Sequence, residues 1–213
     1  MVRSRKDLAV FLSKLKTFSK PNQQFEQYST DSETAASLLW QAYLAENITD
    51  KYVLDLGAGT GILGIGALLL GASHVEFIEM DATVYTALKE NLAILTEHWE
   101  IDITGKWTFT NNNISTCGKT MREDAVVVMN PPFGTQMKHA DKLFLTAATK
   151  MAPIIYTMHK TTTRNFVQAF TADNNLIISW HENVSYPLKN TLGHHKKRLE
   201  RIQVTLFGLE QAK

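Results

Sequence analysis

Leu8, Phe11, Leu12, Leu15 and Phe18 recur at helical spacing with lysines between them, which predicts an amphipathic helix over residues 3–18. Lys20-Pro21 ends it, because a residue before proline is pushed out of helical geometry. A second helix follows, capped by Asp31 or Ser32, with Ala35, Leu38, Leu39, Ala42 and Tyr43 on one side. From residue 52 the pattern changes. Short apolar runs predict strands over 52–56, 74–78, 107–110, 125–129, 154–158, 176–180 and 202–207. Between them, helical periods predict helices over 61–70, 82–96, 142–151 and 162–172. A small hairpin is expected around Gly105, between Ile101, Ile103 and Trp107. Strand–helix alternation of this kind implies an α/β fold with a doubly wound, mainly parallel sheet and helices on both faces.

Composition narrows this only a little. The chain has 213 residues, 44% of them apolar, enough for one compact domain: an N-terminal helical extension over 1–47 and a Rossmann-like core over 48–213. No internal repeat or low-complexity linker interrupts it. The one cysteine, Cys117, excludes an internal disulfide and fits a reducing compartment. The apolar run over 62–70 is too short to span a bilayer, and the basic N-terminus lacks the form of a secretory signal. A cytoplasmic protein with no membrane attachment is expected.

Charge adds more through its distribution than its sum. The net charge is +1, yet residues 1–20 carry six Lys/Arg against Asp7, and residues 189–201 carry five against Glu200. Two basic ends on an acidic body suit a polyanion-binding rim, or else solvated helix faces.

Asp55-Leu56-Gly57-Ala58-Gly59-Thr60-Gly61 joins the first predicted strand of the core to a helix. Glycines there allow a sharp turn and close approach of a ligand to the backbone, and the helix presents its positive end. About twenty residues on, Glu79 ends the next strand, with Asp81 as the nearby alternative; a carboxylate there can accept both hydroxyls of a ribose. The spacing is Gly-x-Gly-x-Gly, unlike a dinucleotide fingerprint, and the loop looks like the cofactor loop of seven-strand S-adenosyl-L-methionine methyltransferases. The plain alternative is a tight turn with no ligand.

Asn130-Pro131-Pro132-Phe133 follows the strand 125–129, at the edge where open α/β sheets bind ligands. Two prolines stiffen the loop and remove two donors, leaving carbonyls as acceptors. This suits methyl transfer to an aromatic amine, whose lone pair is delocalised into the ring. Acceptors on both N–H groups, the Asn130 side chain and the Pro131 carbonyl, turn the amine toward sp³ geometry. Phe133 then stacks on an unstacked base. The motif is that of amino-methyltransferases acting on adenine N6, guanine N2 or glutamine nitrogen; phenylalanine at its last position favours the nucleic-acid enzymes.

Gln27-Tyr28-x-Thr30 ahead of the core, Tyr156–Lys160 after the tetrapeptide and His194–Arg198 near the end narrow the match. In this order the chain resembles, over nearly its whole length, the small rRNA adenine-N6 methyltransferases (methyltransferase-like protein 5 and archaeal relatives). The resemblance implies seven strands with an antiparallel final one, S-adenosyl-L-methionine as cofactor and an adenine of small-subunit rRNA as target. It also implies a small zinc-binding activator protein, as in the eukaryotic members. Carried over by position, Asn130, Pro131, Pro132 and Phe133 hold the adenine. Gln27, Tyr28 and Thr30 enclose the cofactor, Asp55, Gly57 and Gly59 hold its amino acid part, and Glu79 its ribose. Asn113 stands where the family has an acid near the cofactor adenine. His159 and Lys160 either contact RNA phosphate or cap a neighbouring helix; His195, Lys196, Lys197 and Arg198 form a phosphate-binding loop or a solvated hairpin tip. No metal site is expected from one cysteine and scattered histidines. A guanine-N2 enzyme, a glutamine-N5 protein methyltransferase and a catalytically silent RNA-binding scaffold remain the alternatives.

Overall fold

The computed structural model describes residues 2–18, 27, 29–117, 120–133, 140–188 and 200–212. Tyr28, Lys20-Pro21 and the basic run His194–Arg198 lie outside the described residues. The elements in chain order are α1 (Arg5–Leu12), α2 (Ser32–Leu44), β1 (Tyr52–Leu56), α3 (Ile62–Leu69), β2 (His74–Glu79), α4 (Tyr85–Glu97), β3 (Trp107–Asn111), β4 (Ala125–Met129), α5 (Ala140–Ala148), β5 (Ile154–Lys160), α6 (Arg164–Asp173), β6 (Leu176–Leu188) and β7 (Glu200–Gln211). The seven strands form one sheet in the order β3-β2-β1-β4-β5-β7-β6. Neighbours from β3 to β5 are parallel, and β7 runs antiparallel to both β5 and β6. This is the expected doubly wound sheet.

Side chains alternate across the sheet, as a two-residue strand period requires. Val53, Val75, Phe77, Val126 and Val128 face the core shared with α1 to α4, and Leu54, Leu56, Val127 and Met129 face the core shared with α5 and α6. Both faces are therefore buried, and the central strands read as unbroken apolar runs. The two N-terminal helices belong to the first core: Leu8, Leu12, Leu38 and Leu39 are fully buried or nearly so. Asp31, rather than Ser32, caps α2 by accepting from the Thr34 N–H at 3.1 Å. Among the described residues no helix is long and apolar enough to cross a membrane.

Four expectations change. The first helix ends at Leu12, not at residue 18, because residues 13–18 leave it to cross the glycine loop. The segment around Gly105 is no hairpin: Lys106 N–H donates to the Ile103 carbonyl at 3.0 Å, and Gly105, at φ +70°, turns the chain into the single strand β3. The helix over 82–96 opens with a 3₁₀ turn at Ala82–Val84, capped by Asp81. The last two strands span 13 and 12 residues, far longer than their apolar centres. Pairs from Ser185↔Gln203 to Leu188↔Glu200 lie past Val204, the partner of the last β5 residue, so the hairpin projects beyond the carboxyl edge of the sheet.

Candidate active site

The glycine loop leaves β1 at the carboxyl edge and is pinned to β2. Gly57 and Ala58 N–H groups donate to the Ile78 carbonyl, at 2.9 and 3.2 Å. Gly57 and Gly59 adopt φ of +69° and +53°, which disfavours any residue with a Cβ. A Cβ at Gly59 would also lie 2.7 Å from Phe18 Cζ, so the ring would have to move aside.

Two carboxylates organise the loop. Asp55 is 1% exposed and its Oδ2 accepts from the Gly64 N–H at 2.8 Å. Burial pushes its pKa up to about 7; the Gly64 bond opposes this and the nearby charge of Glu79 adds to it. Glu79 is buried at the end of β2, accepting from Gly59 N–H (2.9 Å) on Oε2 and from Asp81 N–H (2.9 Å) on Oε1. Burial raises its pKa too, against these backbone donors. Gln27 donates to Asp81 Oδ2 at 2.7 Å, placing it beside Glu79.

Two cavities flank the loop. One, of about 220 Å³, is lined by Gln27, Glu79, Asn113, Pro132 and the apolar side chains of Met80 and Leu143. The other, of about 290 Å³, is lined by residues 15–18, Thr30, Asp31, Asp55 and Pro187. Phe18, Gly57, Gly59 and Asn130 line both.

The tetrapeptide loop follows β4. Asn130 Nδ2 donates to Thr30 Oγ1 at 2.9 Å, while its Oδ1 is buried and has no partner. Asp31 Oδ2 is likewise buried and unpartnered, although Oδ1 caps α2. An unmet acceptor inside a protein is costly and marks a place where a donor fits. Tyr186, carried in by the projecting hairpin, donates to the Ser29 carbonyl at 3.2 Å and meets the edge of Phe133 with ring centroids 6.0 Å apart. Burial, reinforced by Asp31, pushes its pKa up, and Asn130 and Thr30 oppose this. Lys160 Nζ stands 5.8 Å from the Phe133 ring centre.

Among the described residues, the sequence-predicted ones thus gather at one edge, with two exceptions of chemistry. His159 is 2% exposed, its Nε2 bonded to Thr157 Oγ1 at 3.0 Å and its ring edge-on to Phe207. Burial pushes its pKa down to about 3, so it is a neutral core histidine and not a phosphate ligand. Asn113 lines the first cavity, but its amide oxygen, the atom expected to meet the cofactor adenine, already accepts from the Ser115 N–H (2.9 Å) and hydroxyl (2.8 Å). Among the described residues no cluster of His, Cys, Asp or Glu could hold a metal ion.

Sequence reasoning missed three contributors. Phe18 was read as part of a helix stripe. Asn91, fully buried on α4, was not singled out, although asparagine inside an apolar helix face signals a backbone partner elsewhere. Tyr186 carried no signal beyond the adjacent Pro187.

A Rossmann-like sheet with this glycine loop, its trailing carboxylate and an Asn-Pro-Pro-Phe loop at the same edge defines a methyltransferase. The model for the family described as conserved hypothetical protein 95 matches residues 36–173. The chain is 30% identical to the rRNA N(6)-adenosine-methyltransferase METTL5 of Danio rerio over 206 residues, covering 93% of this chain and 95% of that protein. It is 33% identical to the uncharacterized protein MJ0284 of Methanocaldococcus jannaschii over 210 residues, covering 97% and 94%. A solved structure from Pyrococcus horikoshii, described as a candidate RNA methyltransferase, matches with a TM-score of 0.88 and 36% identity over all of both chains. The chain belongs to this family of small methyltransferases, alongside the METTL5 enzymes.

Proposed function

We propose that this protein methylates N6 of an adenine in RNA, within small-subunit rRNA in the cytoplasm, using S-adenosyl-L-methionine. The observation that carries this reading is the Asn130 amide: Thr30 takes its Nδ2, and Oδ1 is left buried without a donor at the wall shared by both cavities. The naming of its METTL5 relatives as rRNA N(6)-adenosine-methyltransferases supports adenine over guanine.

The residues fit the cofactor. Glu79 and Gln27 stand on the nucleoside side, Met80 and Leu143 supply apolar walls for a base, and Thr30 and Asp55 line the side suited to the amino acid. The bound cofactor supplies an electrophilic methyl group on a sulfonium sulfur. Asn130 Oδ1 accepts one amine N–H and the Pro131 carbonyl the other, so the lone pair is directed out of the ring plane; Pro132 keeps the loop rigid. Phe133, held edge-on by Tyr186 and approached by Lys160, stacks on the base. The amine proton becomes acidic as the new bond forms, so no strong base is required. His195, Lys196, Lys197 and Arg198 bind RNA phosphates in this reading, and Tyr28 is assigned to the cofactor.

Incubation with methyl-labelled cofactor and total rRNA, followed by nucleoside analysis, tests the assignment. Label in N6-methyladenosine is expected. Label confined to N2-methylguanosine would overturn the adenine assignment, and label in protein would point to glutamine. A small zinc-binding activator, which the family resemblance implies, would appear as a stoichiometric partner on purification from its own cells.

A further inference from the structure

Of the four residues that line both cavities, Gly57, Gly59 and Asn130 belong to the two motifs, and Phe18 does not. Phe18 reaches the site from the N-terminal segment by a specific device. Residues 13–18 leave α1 and cross toward the loop, where the buried Asn91 side chain receives them. Lys16 N–H donates to Asn91 Oδ1 at 2.7 Å, and Asn91 Nδ2 donates to the carbonyls of Lys16 and Thr60, both at 2.9 Å. One amide thus ties the segment to the glycine loop. Two residues further on, the half-buried Phe18 ring lies against Gly59, close enough that a Cβ there would sit 2.7 Å from Cζ.

We infer that Phe18 contacts the cationic sulfonium of the cofactor and sets a preference for the charged methyl donor over its neutral thioether product, with Asn91 as the positioning residue that holds it there. The inference rests on the cofactor proposed above. In that cofactor the sulfur joins the amino acid to the nucleoside. A ligand filling both cavities therefore carries its sulfur past the wall they share. Asn130 is the other side chain on that wall, and the transferable methyl has to face it. An aromatic face attracts a cation through its quadrupole and has no such attraction for a neutral sulfide. The ring thereby favours release of spent cofactor after each transfer.

Calorimetric titration with S-adenosylmethionine and, separately, S-adenosylhomocysteine tests this without any RNA. Phe18→Leu keeps an apolar wall and is expected to weaken the sulfonium ligand about three- to tenfold while moving the thioether little. Equal losses for both ligands would overturn the charge preference and leave Phe18 a plain wall; unchanged affinities would remove it from the cofactor altogether. In Asn91→Ala the ratio should fall toward the Phe18→Leu value, and an unchanged ratio would strike Asn91 from the inference. Failure of the wild-type protein to bind either ligand would sink the proposed cofactor instead.

Discussion

Asp55→Asn should make the ligand-free protein more stable at alkaline pH while weakening its hold on the cofactor. Asparagine is nearly isosteric, and its oxygen can still accept the Gly64 N–H that Asp55 Oδ2 receives at 2.8 Å. What changes is the charge. Burial lifts the Asp55 pKa from 3.8 to about 7, so between these values the folded chain keeps a proton that the unfolded chain has lost. The associated stability is present below about pH 4 and is lost as pH rises through about 7. Three pH units at about 1.4 kcal/mol each set an upper bound of about 4 kcal/mol. His159 tilts the opposite way. Its pKa falls from 6.5 to about 3, so the stability it contributes is present above pH 6.5 and drains away as pH drops toward 3. The two slopes oppose each other between about pH 4 and 6.5. The variant-minus-wild-type difference carries the signal. In urea unfolding without ligand, that difference should favour Asp55→Asn by about 1 kcal/mol at pH 4.5 and by up to about 4 kcal/mol at pH 8. A difference that stays constant across this range, or a variant less stable at pH 8, would refute the view that Asp55 is a charge held in the fold at a cost, for a ligand's sake.

Asn130→Ala should lower methyl transfer at least a hundredfold while S-adenosylhomocysteine binds within about threefold of wild type, measured by single-turnover kinetics and calorimetry; equal losses would mean that Asn130 mainly holds cofactor. Thr30→Val leaves Asn130 Nδ2 without its acceptor and lets the amide turn, so kcat should fall about tenfold with the KM for RNA little changed. His159→Leu should leave RNA affinity unchanged in filter binding and should flatten the acid loss of stability, read as thermal melting at pH 4 against pH 7.

The sheet was legible in the sequence because its central strands are buried on both faces. Ala125–Met129 is five apolar residues in a row and falls as predicted. β6 and β7 were legible only at their apolar centres. Past Trp180 the strand alternates exposed His181, Asn183 and Ser185 with half-buried neighbours, because it lies at the edge of the sheet and then beyond it. The two motif loops were legible because glycine and proline constrain the backbone locally, and a local constraint leaves a local pattern. Phe18, Asn91 and Tyr186 owe their places to contacts across 31 to 157 positions of chain, which no short window of sequence contains. His159 was misread for a related reason: a polar residue near a strand end can be exposed or buried, and the packing of its ring against Phe207 on the neighbouring strand decides which.

The placement of β7 has a consequence for how the molecule comes into being. It is the last strand in the chain but sits inside the sheet, between β5 and β6. Until it is synthesised, β6 has no neighbour to pair with and β5 ends in an open row of backbone donors and acceptors, an edge that invites foreign strands. Pro187, which lines a cavity, and Tyr186, which meets Phe133, ride on β6, so neither can settle before then. A growing chain therefore acquires the glycine loop and Asn130 early but has no finished pocket until β7 zips into its slot. The pairings that complete it wait for Glu200–Gln211, which makes catalytic competence a late event in the life of each molecule.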